Sequence, residues 1–119
     1  MSNNKGKILM KIIKKNTEYK SVYNCKDSIS DYNLVLFFKK NDFGYNQYGF
    51  TSAKKIKKAV SRNLIRRRLK EIVRLNECNF KKGYDIVIMA RVNATKADYK
   101  ALEKSFNKLM KRKNLLKGI

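Results

Sequence analysis

The sequence predicts a single small α+β domain in which a mixed sheet of four or fewer strands packs with helices. A chain of 119 residues has the usual length of one domain. Its hydrophobic share of 43% is that of a globular chain rather than a disordered one. Three apolar, strand-like runs interleave with segments of helical period, and their order contains a strand–helix–strand unit.

The first predicted elements are a basic arm and a short helix. Residues 1–15 are basic and polar, so we expect a flexible arm there and a folded domain over 16–119. Asn16 or Thr17 is a suitable helix cap, and Glu18 then falls in the first turn, where the helix dipole favours a negative charge. One side of this helix carries three large side chains at i, i+3 and i+4: Tyr19, Val22 and Tyr23.

Two strands are predicted next, at residues 34–38 and 48–53. The first, LVLFF, is rich in branched and aromatic residues, and residues 27–33 before it read as a loop. A turn at 41–47 separates the two strands. We therefore expect them to pair as a hairpin.

The second half predicts a helix, a strand and a final helix. Residues 55 to about 75 have helical character. The strand at 84–91, YDIVIMAR, lacks alternation, which is typical of a strand covered on both faces. The helix at 97–113 places four apolar side chains on one side: Leu102, Phe106, Leu109 and Met110.

Composition excludes several classes of chemistry and points to a negatively charged partner. The chain has 30 Lys and Arg against 9 Asp and Glu, a net charge of +21, which favours a polyanion that neutralises it. It has no histidine, the usual general base and metal ligand. Cys25 and Cys78 form no Cys-x-x-Cys pair, and we expect two reduced thiols. The acids show no close pair, so we predict no catalytic residue and no metal ligand in the chain.

The apolar runs are too short for a membrane protein. The longest, at 34–38 and 86–90, have five residues each, whereas a membrane span needs about 20. No segment has the apolar core of a signal peptide. We expect a cytoplasmic protein without a membrane partner.

The predicted long helix separates into a basic and an apolar face. Residues 54–74 carry ten cations against one acid, Glu71. Steps of about 100° per residue place the polar set within an arc of about 140°, with the small Ala59 in its midst: Arg62, Asn63, Arg66, Arg67, Lys70 and Arg74. The opposite side, predicted to face the core, carries Leu64, Ile65, Leu69 and Ile72. Arg68 lies near the apolar arc and is expected to extend along it instead of binding a partner.

This clustering of one charge favours a nucleic acid. An ordinary solvated helix mixes charges and gains from i,i+4 pairs. The planar guanidinium group of arginine matches the geometry of phosphate, and the asparagine amide both donates and accepts hydrogen bonds.

The basic helix also resembles a known family. Residues 56–70, with the pattern I-x-x-A-x-x-R-N-L-I-R-R-x-L-K, resemble the signature of the bacterial ribonuclease P protein component. Residues 48–55 look like the strand and turn that enter this signature, 84–91 like its later strand and 16–23 like its first helix. Three positions depart from the pattern, which often has Arg, Gly and Pro there: Gln47, Lys57 and Val92.

The resemblance implies a fold, an activity and a set of contacts. It implies the protein subunit of a ribonucleoprotein endonuclease that removes the 5′ leader from precursor tRNA, with the RNA subunit performing the hydrolysis and Mg²⁺ acting in the assembled particle. The domain over 16–119 is then an RNA-binding domain. The implied contacts to the catalytic RNA are Lys54, Lys55, Ala59, Arg62, Asn63, Arg66, Arg67 and Lys70. The implied contacts to the leader are Tyr19, Tyr23 and Phe37, whose rings suit unpaired bases.

Other interpretations of the same residues remain open. A basic ribosomal protein also combines a small α+β fold with high charge. An autonomous nuclease would need converging carboxylates or a histidine base. A cationic membrane-active protein would need longer apolar surfaces. For the aromatic Phe37, a place in the core is as reasonable as a place in a binding cleft.

Overall fold

The computed structural model describes residues 10–117, and these form one mixed five-stranded sheet with three α-helices. The strands are β1 (Lys11–Ile12), β2 (Ser28–Ser30), β3 (Leu34–Lys40), β4 (Gln47–Ser52) and β5 (Tyr84–Ala90). The helices are α1 (Asn16–Asn24), α2 (Ala59–Asn76) and α3 (Tyr99–Arg112). Short 3-10 turns lie at Glu77–Asn79 and Val92–Lys96.

The strand order β1-β4-β5-β3-β2 places β5 at the centre of the sheet. This strand pairs in parallel with β4 and antiparallel with β3. The parallel pair and the helix α2 between its strands form the strand–helix–strand unit that the sequence predicts. All of β5 from Asp85 to Ile88 is buried, which confirms that both of its faces are covered.

The predicted hairpin between β3 and β4 is wrong, because β5 lies between them. In register, Ile88 faces Leu36 on one side and Phe50 on the other. The connection at residues 41–46 therefore crosses the end of β5, a span of about 10 Å that six residues cover easily. A hydrophobic run that is buried on both faces takes the central place in preference to direct pairing of the two half-buried strands.

The sheet has one strand more than the four or fewer predicted, because two short edge strands carry no readable period. β1 pairs in parallel with the start of β4, and β2 pairs antiparallel with β3. β1 falls in the predicted flexible arm, of which residues 10–15 are part of the fold, with Ile13 only 2% exposed. Residues 1–9 of that arm lie outside the described residues.

The sheet carries two helices on one face and one on the other. The larger core joins alternate residues of the strands, such as Leu36 and Ile88, to α2 and α3. The smaller core lies on the opposite face, where Val22 of α1 packs with Ile13 and Val87. This division leaves much of the second face open beside α1, which creates space for a binding cleft.

The helices α2 and α3 confirm the predicted amphipathic pattern, with two corrections in α2. The helix begins at Ala59 and not at residue 55, because Lys58 is extended and the buried Ile56 anchors an irregular turn before it. Leu64, predicted to face the core, is 36% exposed. The buried stripe of α2 consists of Ile65, Leu69, Ile72 and Val73.

Candidate nucleic-acid interface

The exposed side of α2 carries a basic surface, here called the α2 basic face: Asn63, Arg66, Arg67 and Lys70. These four side chains line one shallow groove. Asn63, Arg67 and Lys70 are exposed, and Arg66 is half-buried. Among the described residues, none of these cations has an acidic partner within ion-pair distance. Within residues 10–117, no acidic side chain therefore neutralises the cations of this face.

Arg74, at the far end of the predicted basic arc, is not free. It forms a bidentate ion pair with Glu71, with N···O distances of 3.0 Å and 2.6 Å. Both groups are exposed, and the pair holds the pKa of Glu71 below its usual value through the hydrogen bonds from Arg74. The α2 basic face thus ends at Lys70, nearly two turns before the C-terminal end of the helix at Asn76.

The turn before α2 holds the remaining predicted contacts to the catalytic RNA. Lys54 and Lys55 are exposed there, and Ala59 is the exposed first residue of the helix. Because alanine is small, it leaves room for a partner's backbone beside the long cations. Arg62 is half-buried, and its Nη1 donates hydrogen bonds of 2.9 Å to the carbonyl oxygens of Ile56 and Lys57. Arg62 therefore holds the turn against the helix, a structural role that the spacing alone does not reveal.

Two other arginines of α2 connect the helix to its surroundings. Arg68 donates a hydrogen bond of 3.2 Å to the carbonyl of Ala97, at the approach to α3. Arg66 lies close enough to Tyr19 of α1 for its positive charge to favour the ionised form of the tyrosine hydroxyl. Its buried Nε has no acceptor within the described residues. Arg66 is thus a cation of the α2 basic face with an unused donor, near Tyr19 of α1.

A cleft opens between α1 and β4, here called the tyrosine cleft. Its lining is Asn16, Tyr19, Lys20, Tyr23, Phe50 and Thr51, around a volume of about 320 Å³. A second cavity of about 430 Å³ lies next to the tyrosine cleft. Thr51 lines the cleft, and Ala53, two residues further along the chain, lines this second cavity. Exposed Arg91 borders the second cavity. The open part of the sheet face is therefore a groove with aromatic and cationic walls.

Tyr19 is held rigidly at the floor of the cleft. Its hydroxyl oxygen accepts a hydrogen bond of 3.2 Å from the backbone N–H of Phe50. Its ring lies against Gly49, so closely that an added Cβ would be 2.7 Å from ring atom Cε1. Burial raises the pKa of Tyr19, and the hydrogen bond from Phe50 and the positive charge of Arg66 only partly oppose this effect. Tyr19 is therefore a neutral, fixed aromatic surface next to a cation.

Tyr23 and Phe37 complete the aromatic group. Their rings meet edge to face with the centroids 4.9 Å apart, and the centroids of Tyr19 and Tyr23 are 6.4 Å apart. Phe37 is half-buried and packs with the smaller core without lining the tyrosine cleft. The structure thus brings the three predicted aromatic residues together, with Phe37 supporting Tyr23 from the sheet.

The three departures from the family pattern lie in different surroundings. Gln47 donates a hydrogen bond of 3.0 Å to the buried carboxylate of Asp85, beside a second amide donor from Asn41 at 2.8 Å. Lys57 and Val92 are exposed. A neutral amide at position 47 therefore helps to satisfy a buried charge.

Within residues 10–117, no three acidic or cysteine side chains lie close enough together to hold a metal ion. Both cysteines are exposed and unpaired with one another. None of the helices described in this range is long and apolar enough to cross a bilayer.

Comparison with known proteins decides the family. The family model described as Ribonuclease P matches residues 10–114. The chain belongs to the ribonuclease P protein family. The ribonuclease P protein component of Pelotomaculum thermopropionicum is 40% identical over 104 residues, which cover 87% of this chain and 93% of the relative. That of Clostridioides difficile is 39% identical over 104 residues, or 87% and 91% of the two chains.

Solved structures of this family have the same fold. The ribonuclease P protein from Thermotoga maritima superimposes with a TM-score of 0.78 at 25% identity, over 86% of this chain and 96% of that one. The protein from Staphylococcus aureus gives a TM-score of 0.79 at 23% identity, over 88% and 96%. The signature in α2 and the mixed sheet are thus features of a ribonuclease P protein component, and the ribosomal interpretation is set aside.

Proposed function

We propose that this chain binds the catalytic RNA of ribonuclease P and the 5′ leader of precursor tRNA, and so supports maturation of the tRNA 5′ end in the bacterial cytoplasm. The observation that carries this proposal is that Arg66 of the α2 basic face lies close enough to Tyr19 of the tyrosine cleft for its positive charge to act on the tyrosine hydroxyl. Because this arginine of the α2 basic face is near Tyr19, two RNA elements bound at the two sites would lie side by side. This is the arrangement required where a catalytic RNA meets its substrate.

The two surfaces suit two forms of RNA. The α2 basic face presents arginine, lysine and asparagine donors without competing acids, and such a face binds phosphates with little dependence on sequence. The tyrosine cleft presents fixed aromatic rings, on which unpaired bases stack irrespective of their identity. We assign the first surface to the folded catalytic RNA and the second to the single-stranded leader.

The chemistry in this proposal belongs to the RNA. The resemblance implies that Mg²⁺ ions in the assembled particle support phosphodiester hydrolysis, and the residues of this chain hold and orient the two RNAs. The buried acids already serve the fold, as Asp85 does with its two amide donors and Glu77 with Tyr48 and Lys82. We therefore expect the isolated protein to cleave no tRNA precursor.

The test is cleavage of a precursor tRNA by bacterial ribonuclease P RNA at low magnesium, with and without the protein. We expect stimulation by the protein and no cleavage by the protein alone. The variant Arg66→Ala/Arg67→Ala should lose most of the stimulation at low protein concentration. The matched control is Lys100→Ala/Lys104→Ala, which removes the same charge from exposed positions on α3.

Equal losses in both variants would mean that total charge, rather than the α2 basic face, determines assembly. A wild-type protein that leaves cleavage unchanged with its cognate RNA would refute the proposed function. Cleavage by protein that is free of RNA would refute the assignment of the chemistry to the RNA.

A further inference from the structure

The loop between β3 and β4 carries two exposed aromatic side chains that belong to neither surface described above. Phe43 is 53% exposed and Tyr45 is 42% exposed. Their rings stack with centroids 5.3 Å apart and planes inclined by 18°. Gly44 between them has a φ of +80°, which glycine adopts without strain, and this turn sets its two neighbours side by side. The pair leaves aromatic surface open to the solvent.

Cations accompany this aromatic pair. Nζ of Lys11 lies 5.8 Å from the centroid of the Tyr45 ring. A run of exposed lysines, here called the lysine strip, leads from β1 onto α1: Lys11, Lys14, Lys15 and Lys20. Within the described part of the chain, these lysines form no ion pair with an acidic side chain. The strip therefore suits the sugar–phosphate backbone of a nucleic acid.

The groove beside Phe43 and the tyrosine cleft lie on opposite sides of α1. Phe43 lines a groove of about 400 Å³ together with Thr17 and Ser21 of α1. Asn16 and Tyr19, on the other side of the same turn, line the tyrosine cleft. A single strand that leaves the cleft over the start of α1 would thus meet Phe43 next.

We propose that Phe43 and Tyr45 form a second stacking site for the unpaired leader, beyond the tyrosine cleft and connected to it by the lysine strip. This inference rests on the proposed function and specifies its substrate: precursors whose leaders are long enough to span both sites. Bases stack on exposed aromatic rings with little sequence preference. Three carboxylates, those of Glu18, Asp42 and Asp85, also line the groove beside Phe43 and repel phosphates. The backbone therefore follows the lysines while the bases face the rings.

The experiment compares two precursor tRNAs that differ only in leader length, one of about four and one of about twelve nucleotides. Their affinities are measured for the complex of protein and ribonuclease P RNA, with the wild-type protein and with Phe43→Ala/Tyr45→Ala. We expect the double variant to lose about tenfold in affinity for the long leader and to bind the short leader as the wild type does. Tyr32→Ala serves as a control, because Tyr32 is 72% exposed and lies in the loop between β2 and β3.

Each remaining outcome overturns the inference. Unchanged affinity for the long leader would show that the rings contact no part of it. An equal loss for both leaders would place the pair against the catalytic RNA or in the fold. If Tyr32→Ala loses as much affinity as the double variant, and only for the long leader, any exposed aromatic side chain would have the same effect. If the wild-type protein itself fails to stimulate cleavage, the proposed function is refuted. If the wild-type protein stimulates cleavage and the double variant behaves as the wild type does, only the second stacking site is refuted.

Discussion

Replacing Gly49 with alanine should displace Tyr19 from the floor of the tyrosine cleft. The new Cβ would lie 2.7 Å from Cε1 of Tyr19 and 2.9 Å from both its Cζ and its hydroxyl oxygen. Carbon atoms in contact are separated by about 3.5–4.0 Å, so the ring has to move by about 1 Å. That movement also strains or breaks the hydrogen bond from the backbone N–H of Phe50, which is 3.2 Å long.

The magnitude follows from three contributions. Overpacking a buried contact costs about 1–3 kcal/mol, and the loss of one hydrogen bond costs about 1 kcal/mol. Alanine restricts the unfolded chain more than glycine does, which returns about 0.4–1 kcal/mol. We expect Gly49→Ala to lower the free energy of unfolding by about 2 kcal/mol, which for a domain of this size lowers Tm by about 6–12 °C.

Urea denaturation of four proteins tests this reasoning: the wild type, Gly49→Ala, Tyr19→Ala and the double variant. Without the Tyr19 ring, the alanine Cβ has nothing to displace, so its cost should disappear in the Tyr19→Ala background. An equal cost in both backgrounds, or a cost below about 0.5 kcal/mol in the wild type, would refute the account. Leader affinity should fall in Gly49→Ala, while affinity for the catalytic RNA is retained.

Three further predictions concern Arg62, the electrostatics of the interface and one buried carboxylate. Arg62→Ala should lower the free energy of unfolding by about 1–2 kcal/mol, because it removes the hydrogen bonds to the turn before α2. By contrast, Asn63→Ala changes an exposed position, so it should weaken RNA binding in a filter assay without changing Tm. Affinity for a single-stranded leader should fall with salt at a log–log slope of about 0.7 per phosphate contact, and a flat dependence would contradict phosphate binding. Burial opposes ionisation of Asp31, but hydrogen bonds from Leu34 and Asn33 outweigh it and hold its pKa below the ordinary value. The contribution of Asp31 to stability is therefore complete above the unfolded pKa of about 3.9, and it is lost as the pH falls through the folded pKa. In Asp31→Asn, the free energy of unfolding should therefore depend less on pH within that window.

Local patterns were sufficient for the parts of the fold that depend on a single element. The stripe of Ile65, Leu69 and Ile72 follows the helical period, and all three residues are buried. The uninterrupted apolar run of β5 correctly predicts a strand that is covered on both faces. The separation of basic from apolar side chains on α2 follows from the same period.

Strand order and edge strands could not be read from such patterns. Pairing between β3 and β5 joins residues about fifty positions apart, and only their shared burial decides that β5 separates β3 from β4. The strands β1 and β2 have two and three residues, too few to show a period. Leu64 fits the helical stripe but falls at its edge, where neighbouring elements leave it exposed.

The sequence by itself determined the sign of the partner's charge, the single basic side of α2 and the family signature, because each depends on residue type and on spacing within one element. Only the tertiary structure decided that Arg62 anchors the turn before α2, that Tyr19 lies against Gly49, and that Arg66 of the α2 basic face lies near Tyr19 of the tyrosine cleft. These contacts join different elements, and their geometry depends on the register of the sheet and on the packing of α1 against it. Proximity of this kind has no period along the chain, so it emerges only when the elements are assembled.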